Sequence, residues 1–257
     1  MSDLVHVILD EPQAGAWNMA VDEALLEESL RSGTIFLRLY RWSESTVSLG
    51  YFQSETELRR DSRLANLPSV RRLSGGGAIL HHHEQTYSCS LPPSHRLAQQ
   101  PYRLYEEIHA VFVSWLTECG VQVTARGRNS DRKEEPFLCF LREAAPDLVV
   151  SGHKILGSAQ RRRRGAVLQH GSLLLEASEH TPELLGLREL APTFPDTTAA
   201  WDQVALRLAR CLGRADSVRE LPESVRIKAT ILSNEHVMTD RLISQALQVP
   251  GFQISTD

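Results

Sequence analysis

The sequence of 257 residues lacks a long apolar run, a paired-cysteine pattern and a strong excess of charge of one sign. No stretch approaches the roughly 18 consecutive apolar residues of a membrane span, and the first residues show neither the basic nor the apolar region of a secretory signal. The formal net charge of −4 provides no basic surface on the scale of a nucleic-acid binder. We therefore expect a cytoplasmic protein without a membrane or nucleic-acid partner.

Cysteines are also scarce, and their positions separate one of them from the rest. The four residues, Cys89, Cys119, Cys139 and Cys211, show no CxxC spacing, so reduced thiols are expected. The first lies in an alternating strand pattern, and the second and fourth lie at the ends of predicted helices. The third lies in residues 125–145, a polar and poorly periodic stretch that predicts a long loop of the kind that often holds functional groups.

Lys154 follows Cys139 by fifteen residues and provides a cation for that thiol. A cysteine attacks acyl groups as its thiolate, and a nearby cation favours the thiolate and stabilises the oxyanion of a tetrahedral intermediate. The pair indicates acyl transfer through a thioester. Taken singly, each residue also has an ordinary interpretation, because most cysteines are small buried hydrophobes and most strand lysines are solvated.

Hydrophobic periodicity predicts an α+β fold. The predicted helices cover residues 17–33, 102–118 and 201–212, with further helical stretches in residues 225–247 and a helix opening at Thr181-Pro182. The predicted strands cover residues 35–40, 46–50, 70–73, 79–91 and 121–124, followed by an antiparallel meander over residues 147–151, 154–160 and 166–175. We expect a mixed, largely antiparallel sheet flanked by helices, with a catalytic domain over residues 1–178 and a helical C-terminal extension over residues 179–257 packed on the same domain.

Four motifs occur in a fixed order: Asn18-Met19-Ala20-Val21-Asp22-Glu23, Ser48-Leu49-Gly50-Tyr51-Phe52-Gln53, Arg71-Arg72-Leu73-Ser74-Gly75-Gly76-Gly77-Ala78-Ile79-Leu80-His81, and the Lys154 block of residues 148–160 closed by Gln169-His170-Gly171-Ser172. Through these motifs, which together cover residues 15–175, the chain resembles the lipoyl-attachment acyltransferases and ligases. That family shares a catalytic fold with biotin protein ligases. One motif alone is weak evidence, but four in the family's order make chance similarity improbable. The resemblance implies an acyl chain bound in a tunnel beside the glycine loop.

The resemblance also implies the residues of the site. Cys139 and Lys154 would be catalytic. The substrate would be bound by Arg72, Ser74, Gly75, Gly76, Gly77, His81, Gly157, Ser158, Ala159, His170 and Gly171. The glycine triplet is also consistent with a plain turn that needs positive φ. The run of residues 81–83 is all histidine, but neighbours on a strand alternate faces and no further ligand is evident, so we expect no metal.

Within this family, the position of the cysteine distinguishes the chemistries. Ligases activate a free acid with ATP, whereas one branch of octanoyltransferases carries a cysteine in the loop before the motif lysine, where Cys139 lies. The other branch places its cysteine after the His-Gly block, and this chain has none between His170 and Cys211. Gly77 is closer to the ligase pattern, because the cysteine branch often has arginine there, while residues 84–88 are closer to the transferase pattern.

The resemblance thus implies an octanoyltransferase that needs no cofactor. Its donor would be octanoyl acyl carrier protein, and its acceptor a lysine of a lipoyl domain or of the glycine cleavage H protein. Two alternatives stay open: an ATP-dependent lipoate ligase, which would need ATP and Mg, and a non-catalytic protein that binds a lipoyl domain. The run Arg161 to Arg164 is either an ordinary solvated turn or a docking patch for an acidic partner.

Overall fold

The computed structural model describes residues 4–127 and 136–234. In chain order the elements are β1 (Leu4–Leu9), α1 (Gly15–Ser32), β2 (Ile35–Tyr40), β3 (Thr46–Leu49), α2 (Glu55–Arg60), β4 (Ser69–Arg71), β5 (Ile79–His81), β6 (Glu84–Leu91), α3 (Pro101–Glu118), β7 (Thr124–Ala125), a 3₁₀ helix (Cys139–Leu141), β8 (Leu148–Val150), β9 (His153–Arg163), β10 (Ala166–Leu174), α4 (Leu187–Leu190), α5 (Thr198–Leu212) and β11 (Arg214–Val218). Residues 223–234 are helical.

Within these residues, a sheet of eight strands runs in the order β11-β1-β2-β6-β10-β9-β8-β7, and a smaller sheet runs β4-β3-β5. β1 pairs in parallel with β2 and with β11, and the other neighbours in the large sheet are antiparallel. The prediction of a mixed, largely antiparallel sheet flanked by helices is therefore confirmed. None of the described helices combines the length and the apolar character that crossing a membrane requires.

The two faces of the large sheet are covered by different helices because side chains alternate along each strand. In β2, Leu37 packs in the cluster that includes the apolar faces of α3 and α5, whereas its neighbour Phe36 packs against α1 and residues 223–234. Each fully buried large apolar side chain stabilises the fold by about 1.5–3 kcal/mol relative to exposure. The helices are thereby fixed on the strands that carry the site.

A buried guanidinium joins α1 to β2. Arg38 is fully buried and donates to Asp10 Oδ2 at 2.8 Å, to Asp22 Oδ1 at 3.2 Å and to Asn18 Oδ1 at 2.8 Å. Moving α1 away from the sheet would separate Arg38 from Asn18 and Asp22 and leave its charge buried and poorly compensated. Because that is costly, these contacts hold α1 on the sheet. Asp22 of this network also reaches the site described below.

Three sequence predictions need correction. Residues 79–91 are not one strand, because β5 and β6 belong to different sheets and residues 82–83 separate them. No helix opens at Thr181-Pro182: residues 182–184 form turns, and α4 begins at Leu187. The segment from residue 179 is not purely helical, since β11 pairs with β1 in the large sheet. Of the stretches predicted in residues 225–247, those after residue 234 lie outside the described residues.

Candidate active site

A cavity of about 440 Å³ is lined by the glycine loop, the 3₁₀ helix and the facing strands β9 and β10. Its volume falls within the range of small-molecule sites, roughly 300–1,000 Å³. Apolar side chains, among them Met19, Ile79 and Phe140, share the lining with Cys139 and Lys154. The cavity thus joins an apolar surface suited to a hydrocarbon chain with a thiol and an ammonium.

The structure brings the residues expected from the sequence to this one place. Of the thirteen, twelve line the cavity: Cys139, Lys154, Arg72, Gly75, Gly76, Gly77, His81, Gly157, Ser158, Ala159, His170 and Gly171. The remaining residue, Ser74, lies behind the wall, where its hydroxyl shares a hydrogen bond with His170 Nε2.

The ammonium of Lys154 lies against the segment that carries the thiol. Its Nζ is 4.0 Å from Cys139 Sγ and donates a hydrogen bond to the Cys139 carbonyl oxygen at 3.2 Å. The side chain bends over Gly157, where an added Cβ would lie 2.6 Å from Lys154 Cε. Glycine at that position therefore makes room for the lysine, and the charge is held where a thiolate or an oxyanion would form.

Asp147, which the sequence prediction missed as a site residue, fixes that lysine from the other side. Its Oδ2 lies 3.0 Å from Lys154 Nζ, and both side chains are buried. Burial raises the pKa of Asp147 above its ordinary value, although the charge of Lys154 and its hydrogen bonds oppose the rise. Because Asp147 Oδ2 also accepts a hydrogen bond from the Ala144 N–H at 2.7 Å, the carboxylate ties the lysine to the end of the cysteine segment.

The glycine loop positions the cysteine through backbone hydrogen bonds. The N–H of Cys139 donates to the Ala78 carbonyl at 2.7 Å, and the N–H of Ala78 donates to the Phe137 carbonyl at 2.8 Å. A Cβ at Gly77 would lie 2.8 Å from the Phe137 oxygen and 2.6 Å from Arg142 Nε. Gly77 therefore allows close approach, whereas Gly76, with φ of +94°, needs the left-handed conformation.

Arg72 holds the glycine loop from within the protein. Its Nη2 donates to the carbonyl oxygens of Gly75 at 2.8 Å and Gly77 at 2.6 Å, and its Nη1 donates to the Ser48 carbonyl at 2.9 Å. Burial lowers the pKa of Arg72 to about 10, with the Cys139 side chain opposing that shift and Arg142 adding to it. Two of its three donor nitrogens are thus engaged in shaping the wall of the cavity.

Two histidines of the wall are oriented by buried carboxylates. His170 lies between Ser74 and Asp22, with its Nδ1 3.5 Å from Asp22 Oδ2. Burial raises the pKa of Asp22, but its hydrogen bond with His170 and the charge of Arg38 outweigh this effect and lower that pKa below its ordinary value. His81 has its Nδ1 2.7 Å from Glu84 Oε1.

The other ring nitrogen and the ring face of His81 also contact protein side chains. Its Nε2 lies 2.7 Å from Ser48 Oγ, and its ring stacks on Trp42 with 3.8 Å between centroids. His82 and His83 stack on each other outside this contact. Across residues 4–127 and 136–234, no group of three or more His, Cys, Asp or Glu residues is arranged to hold a metal ion.

The other three cysteines lie away from the cavity, in settings that disfavour a thiolate. Cys89 is fully buried in β6, and burial raises its pKa. Burial likewise raises the pKa of Cys119, and it raises that of Cys211 to about 11 with the help of Glu107. A thiol with a raised pKa forms little thiolate near neutrality, so these residues are poor nucleophiles.

Behind Ser158 lies a hydrogen-bond chain that the sequence prediction did not include. His109 Nδ1 contacts the Pro146 carbonyl oxygen, which only accepts, so the ring proton lies on Nδ1 and Nε2 accepts from the Ser158 hydroxyl at 2.7 Å. Tyr87 and Gln169 continue the chain at 2.8 Å each. The available signal was a histidine on the apolar face of α3, next to Ile108.

The four arginines that follow Gln160 make different contacts. Arg161 lies over the ring of Tyr51 at 4.8 Å, Arg162 donates to the Ala98 carbonyl, and Arg163 pairs with Glu23 and Glu27. The side chain of Arg164 is exposed. The four side chains therefore do not form one uniform basic patch, and Arg161 is the one that lies next to the cavity.

Sequence comparison adds to this geometry. A family model described as the lipoyl protein ligase A/B catalytic domain matches residues 14–191. The chain is 38% identical over 190 residues to the octanoyltransferase LipM of Exiguobacterium sp., which covers 68% of this chain and 67% of that protein. It is 37% identical over 216 residues to the octanoyltransferase LipM of Symbiobacterium thermophilum, covering 80% of this chain and 78% of that protein.

Structural comparison bears on the fold. A crystal structure of lipoate-protein ligase A bound with ATP superposes with a TM-score of 0.66 at 20% identity, covering 90% of this chain and 94% of that one. A bipartite lipoate protein ligase from Thermoplasma acidophilum, described together with its E2 lipoyl domain, superposes with a TM-score of 0.63 at 19% identity, covering 90% and 92%.

The buried His109 makes stability depend on pH. Burial lowers its pKa to about 4, whereas a histidine in the unfolded chain titrates near 6.5, so the unfolded state takes up a proton first as the pH falls. The stability that depends on neutral His109 is therefore complete above pH 6.5 and is lost toward pH 4, by at most about 1.4 kcal/mol per pH unit. We expect His109→Gln to show a shallower decline than wild type.

Urea unfolding at pH 7.5, 6 and 5 measures this decline. The matched control is His153→Gln at an exposed position, which is expected to keep the wild-type slope. Equal slopes for all three proteins would show that His109 does not contribute to the pH dependence.

Proposed function

The chain belongs to the lipoyl protein ligase A/B catalytic domain family, and from this premise we propose that it is an octanoyltransferase of protein lipoylation that works through an acyl-enzyme at Cys139. The names of its relatives, which are octanoyltransferases at 34–41% identity, support the acyltransferase class. The match covers about two thirds of the first of those relatives. The proposal further assigns the acyl-enzyme to Cys139, the donor to octanoyl acyl carrier protein and the acceptor to a lysine of a lipoyl domain or of the glycine cleavage H protein.

The observation that carries the proposal is the distance of 4.0 Å between Cys139 Sγ and Lys154 Nζ at the wall of a partly apolar cavity. A nearby cation favours the thiolate form of a cysteine, and donors aimed at the oxygen stabilise a tetrahedral intermediate. In the ligase alternative, Lys154 would instead serve an acyl-adenylate, and the neighbouring thiol would have no role. The adjoining apolar lining suits the hydrocarbon chain of an octanoyl group.

The proposed reaction has two acyl exchanges. In the first, the Cys139 sulfur attacks the thioester of octanoyl acyl carrier protein, the new carbon–sulfur bond forms, and the carrier leaves as a thiol that takes up the cysteine proton. In the second, the unprotonated ε-amine of an acceptor lysine attacks the enzyme thioester, an amide forms, and the Cys139 thiol is regenerated. The first exchange is nearly balanced and the second runs downhill, so no nucleotide is required.

The acceptor in this proposal is a lipoyl domain or the glycine cleavage H protein. One structural relative is described together with its E2 lipoyl domain, which supports a lipoyl domain as the kind of acceptor. The ligase alternative would instead require ATP and Mg to activate a free acid. The two mechanisms are separated by the donor that each one uses.

Replacing the nucleophile tests the proposal. We expect Cys139→Ala to lose transfer of octanoyl from carrier protein to a lipoyl domain by a factor of about 10³ or more, because no other group takes the acyl chain. The assay is intact-mass analysis of the lipoyl domain, with circular dichroism to verify folding. Cys119→Ala, at a partly buried cysteine at the end of α3, is the matched control and should retain wild-type activity.

The same assay includes a second arm with free octanoate, ATP and Mg in place of the thioester donor. Modification in this arm by both wild type and Cys139→Ala, without any in the thioester arm, would favour the ligase and overturn the acyl-enzyme mechanism.

Removing the ammonium should slow the chemistry more than it weakens binding. We expect Lys154→Ala to lower the rate of octanoyl loading onto Cys139 about a hundredfold or more, since losing one preorganised donor to an oxyanion typically has that effect. Lys154→Arg should recover only part of the rate because a planar guanidinium cannot replace a compact ammonium. Single-turnover loading, followed by quenched mass analysis, gives the rate at saturating donor.

The lysine variant leaves Asp147 buried without its cation, which destabilises the fold. The double variant Lys154→Ala/Asp147→Asn also removes the unpaired buried carboxylate, so a lower loading rate in it is not caused by that loss of stability. If this double variant loads octanoyl at the wild-type rate, Lys154 has no part in the chemistry.

Arg161, next to the cavity, and Arg164, at the turn after β9, should help to recruit an acidic partner. We expect Arg161→Ser/Arg164→Ser to lower the association rate with carrier protein or lipoyl domain at low salt, with the difference shrinking as salt screens charge, since the Debye length is about 3 Å at 1 M. Stopped-flow association at two salt concentrations measures it, with the ion-paired Arg163→Ser as the control. Equal low-salt rates for wild type and the double variant would contradict electrostatic recruitment.

A further inference from the structure

Two aromatic side chains stand exposed in the loop between β3 and α2. Phe52 is 87% exposed and Tyr51 is 42% exposed, and their rings meet edge to face with 5.0 Å between centroids. Phe52 is the most exposed large apolar side chain in the described part of the chain. A single exposed apolar residue is ordinary on a protein surface, but this loop is also held in a fixed conformation and lies beside the cavity.

The loop is rigidly held from beneath. Arg71 Nη1 donates to the carbonyl oxygens of Gly50 at 3.0 Å and Gln53 at 2.7 Å, with a longer contact to that of Tyr51 at 3.3 Å. Gln53 Oε1 accepts from the Gly50 N–H at 3.0 Å. A backbone fixed by these side chains presents the two rings without the ordering cost that a mobile loop would incur on binding.

The same loop touches each of three segments that line the cavity. The Tyr51 N–H donates to the Ser74 carbonyl at 2.9 Å, next to the glycine loop. Gln53 Nε2 donates to the Phe137 carbonyl at 3.2 Å, two residues before Cys139. Arg161, which follows the lining residue Gln160, lies over the Tyr51 ring at 4.8 Å. The aromatic pair therefore stands on the rim of the cavity that holds the thiol.

We propose that Tyr51, Phe52 and Arg161 form a docking platform for the acceptor, an acidic protein domain that presents its target lysine to the cavity. This platform deepens the proposed function and rests on it. Tyrosine, phenylalanine and arginine are enriched at protein interfaces, and tyrosine and arginine are among the residues that most often dominate the binding energy there. The Arg161 guanidinium, held over the Tyr51 ring, gives this surface a positive charge that complements an acidic partner.

The reach of the reacting groups favours the acceptor over the donor as the occupant. A lysine carries its amine on a four-carbon stem, so the acceptor's surface must come down to the rim before the amine meets Cys139. A carrier protein brings its thioester on a long prosthetic arm, and its folded body can remain farther away. Contact with the rim is therefore obligatory for the acceptor.

The experiment uses Phe52→Ser in the full chain and measures two steps separately. Loading of Cys139 is followed with octanoyl-N-acetylcysteamine, a small thioester without a protein body, and transfer is followed with an unmodified lipoyl domain at varied concentration. We expect the KM for the lipoyl domain to rise roughly thirtyfold, as for truncation of an interface hot spot, and loading to stay within about twofold of wild type. Phe52→Trp should restore the wild-type KM.

Ile227→Ser, at an apolar side chain that is 56% exposed within residues 223–234, is the matched control and should leave both steps unchanged. An unchanged KM in Phe52→Ser would overturn the platform, and so would an equal loss of loading, because the loop would then support the cavity rather than the partner. Loading is also measured with octanoyl carrier protein as donor: a higher KM for that donor in Phe52→Ser, with an unchanged KM for the lipoyl domain, would assign the loop to the donor and overturn the proposal. Absence of loading in wild type from octanoyl carrier protein would overturn the proposed function itself, and the platform with it.

Discussion

The candidate site depends on one buried ion pair, between Lys154 and Asp147. The carboxylate would be expensive to bury alone, and the lysine compensates it while remaining within 4.0 Å of the Cys139 sulfur. Because Asp147 also binds the backbone of Ala144, the pair joins β9 to the segment that carries the cysteine. The Lys154 ammonium thus has two roles: it would assist the chemistry at Cys139, and it neutralises the buried Asp147 carboxylate. A substitution of Lys154 affects both.

Around this pair, polar side chains fix the conformation of the backbone, and glycines allow neighbouring segments to approach closely. Arg72 holds the carbonyl oxygens of the glycine loop, and Gly77 lets that loop approach the cysteine segment closely enough for two backbone hydrogen bonds. Gly77 is the residue that resembles the ligase pattern. Here its missing side chain is explained by Arg142 and the Phe137 carbonyl, which occupy the space that a side chain would need.

The sequence could predict the parts of the site that are carried by local pattern. Alternation and periodicity identified the strands that carry Lys154 and His170, and motif order identified the cavity residues, because these signals lie in contiguous residues. Asp147 and His109 were missed because their roles arise only when β8 and α3 pack against β9. β11 was missed because its partner β1 is more than two hundred residues away in the chain. The roles of the cavity residues stay predictions.

The most direct measurement is a chase of the isolated acyl-enzyme. The protein is mixed with octanoyl carrier protein, freed of donor, mapped by mass spectrometry, and then mixed with a lipoyl domain in the absence of nucleotide. The account predicts one octanoyl group on Cys139 that moves in full to a lysine of the lipoyl domain. An octanoyl group on another residue, or one that stays on Cys139 while the lipoyl domain is modified only when donor is present, would contradict it.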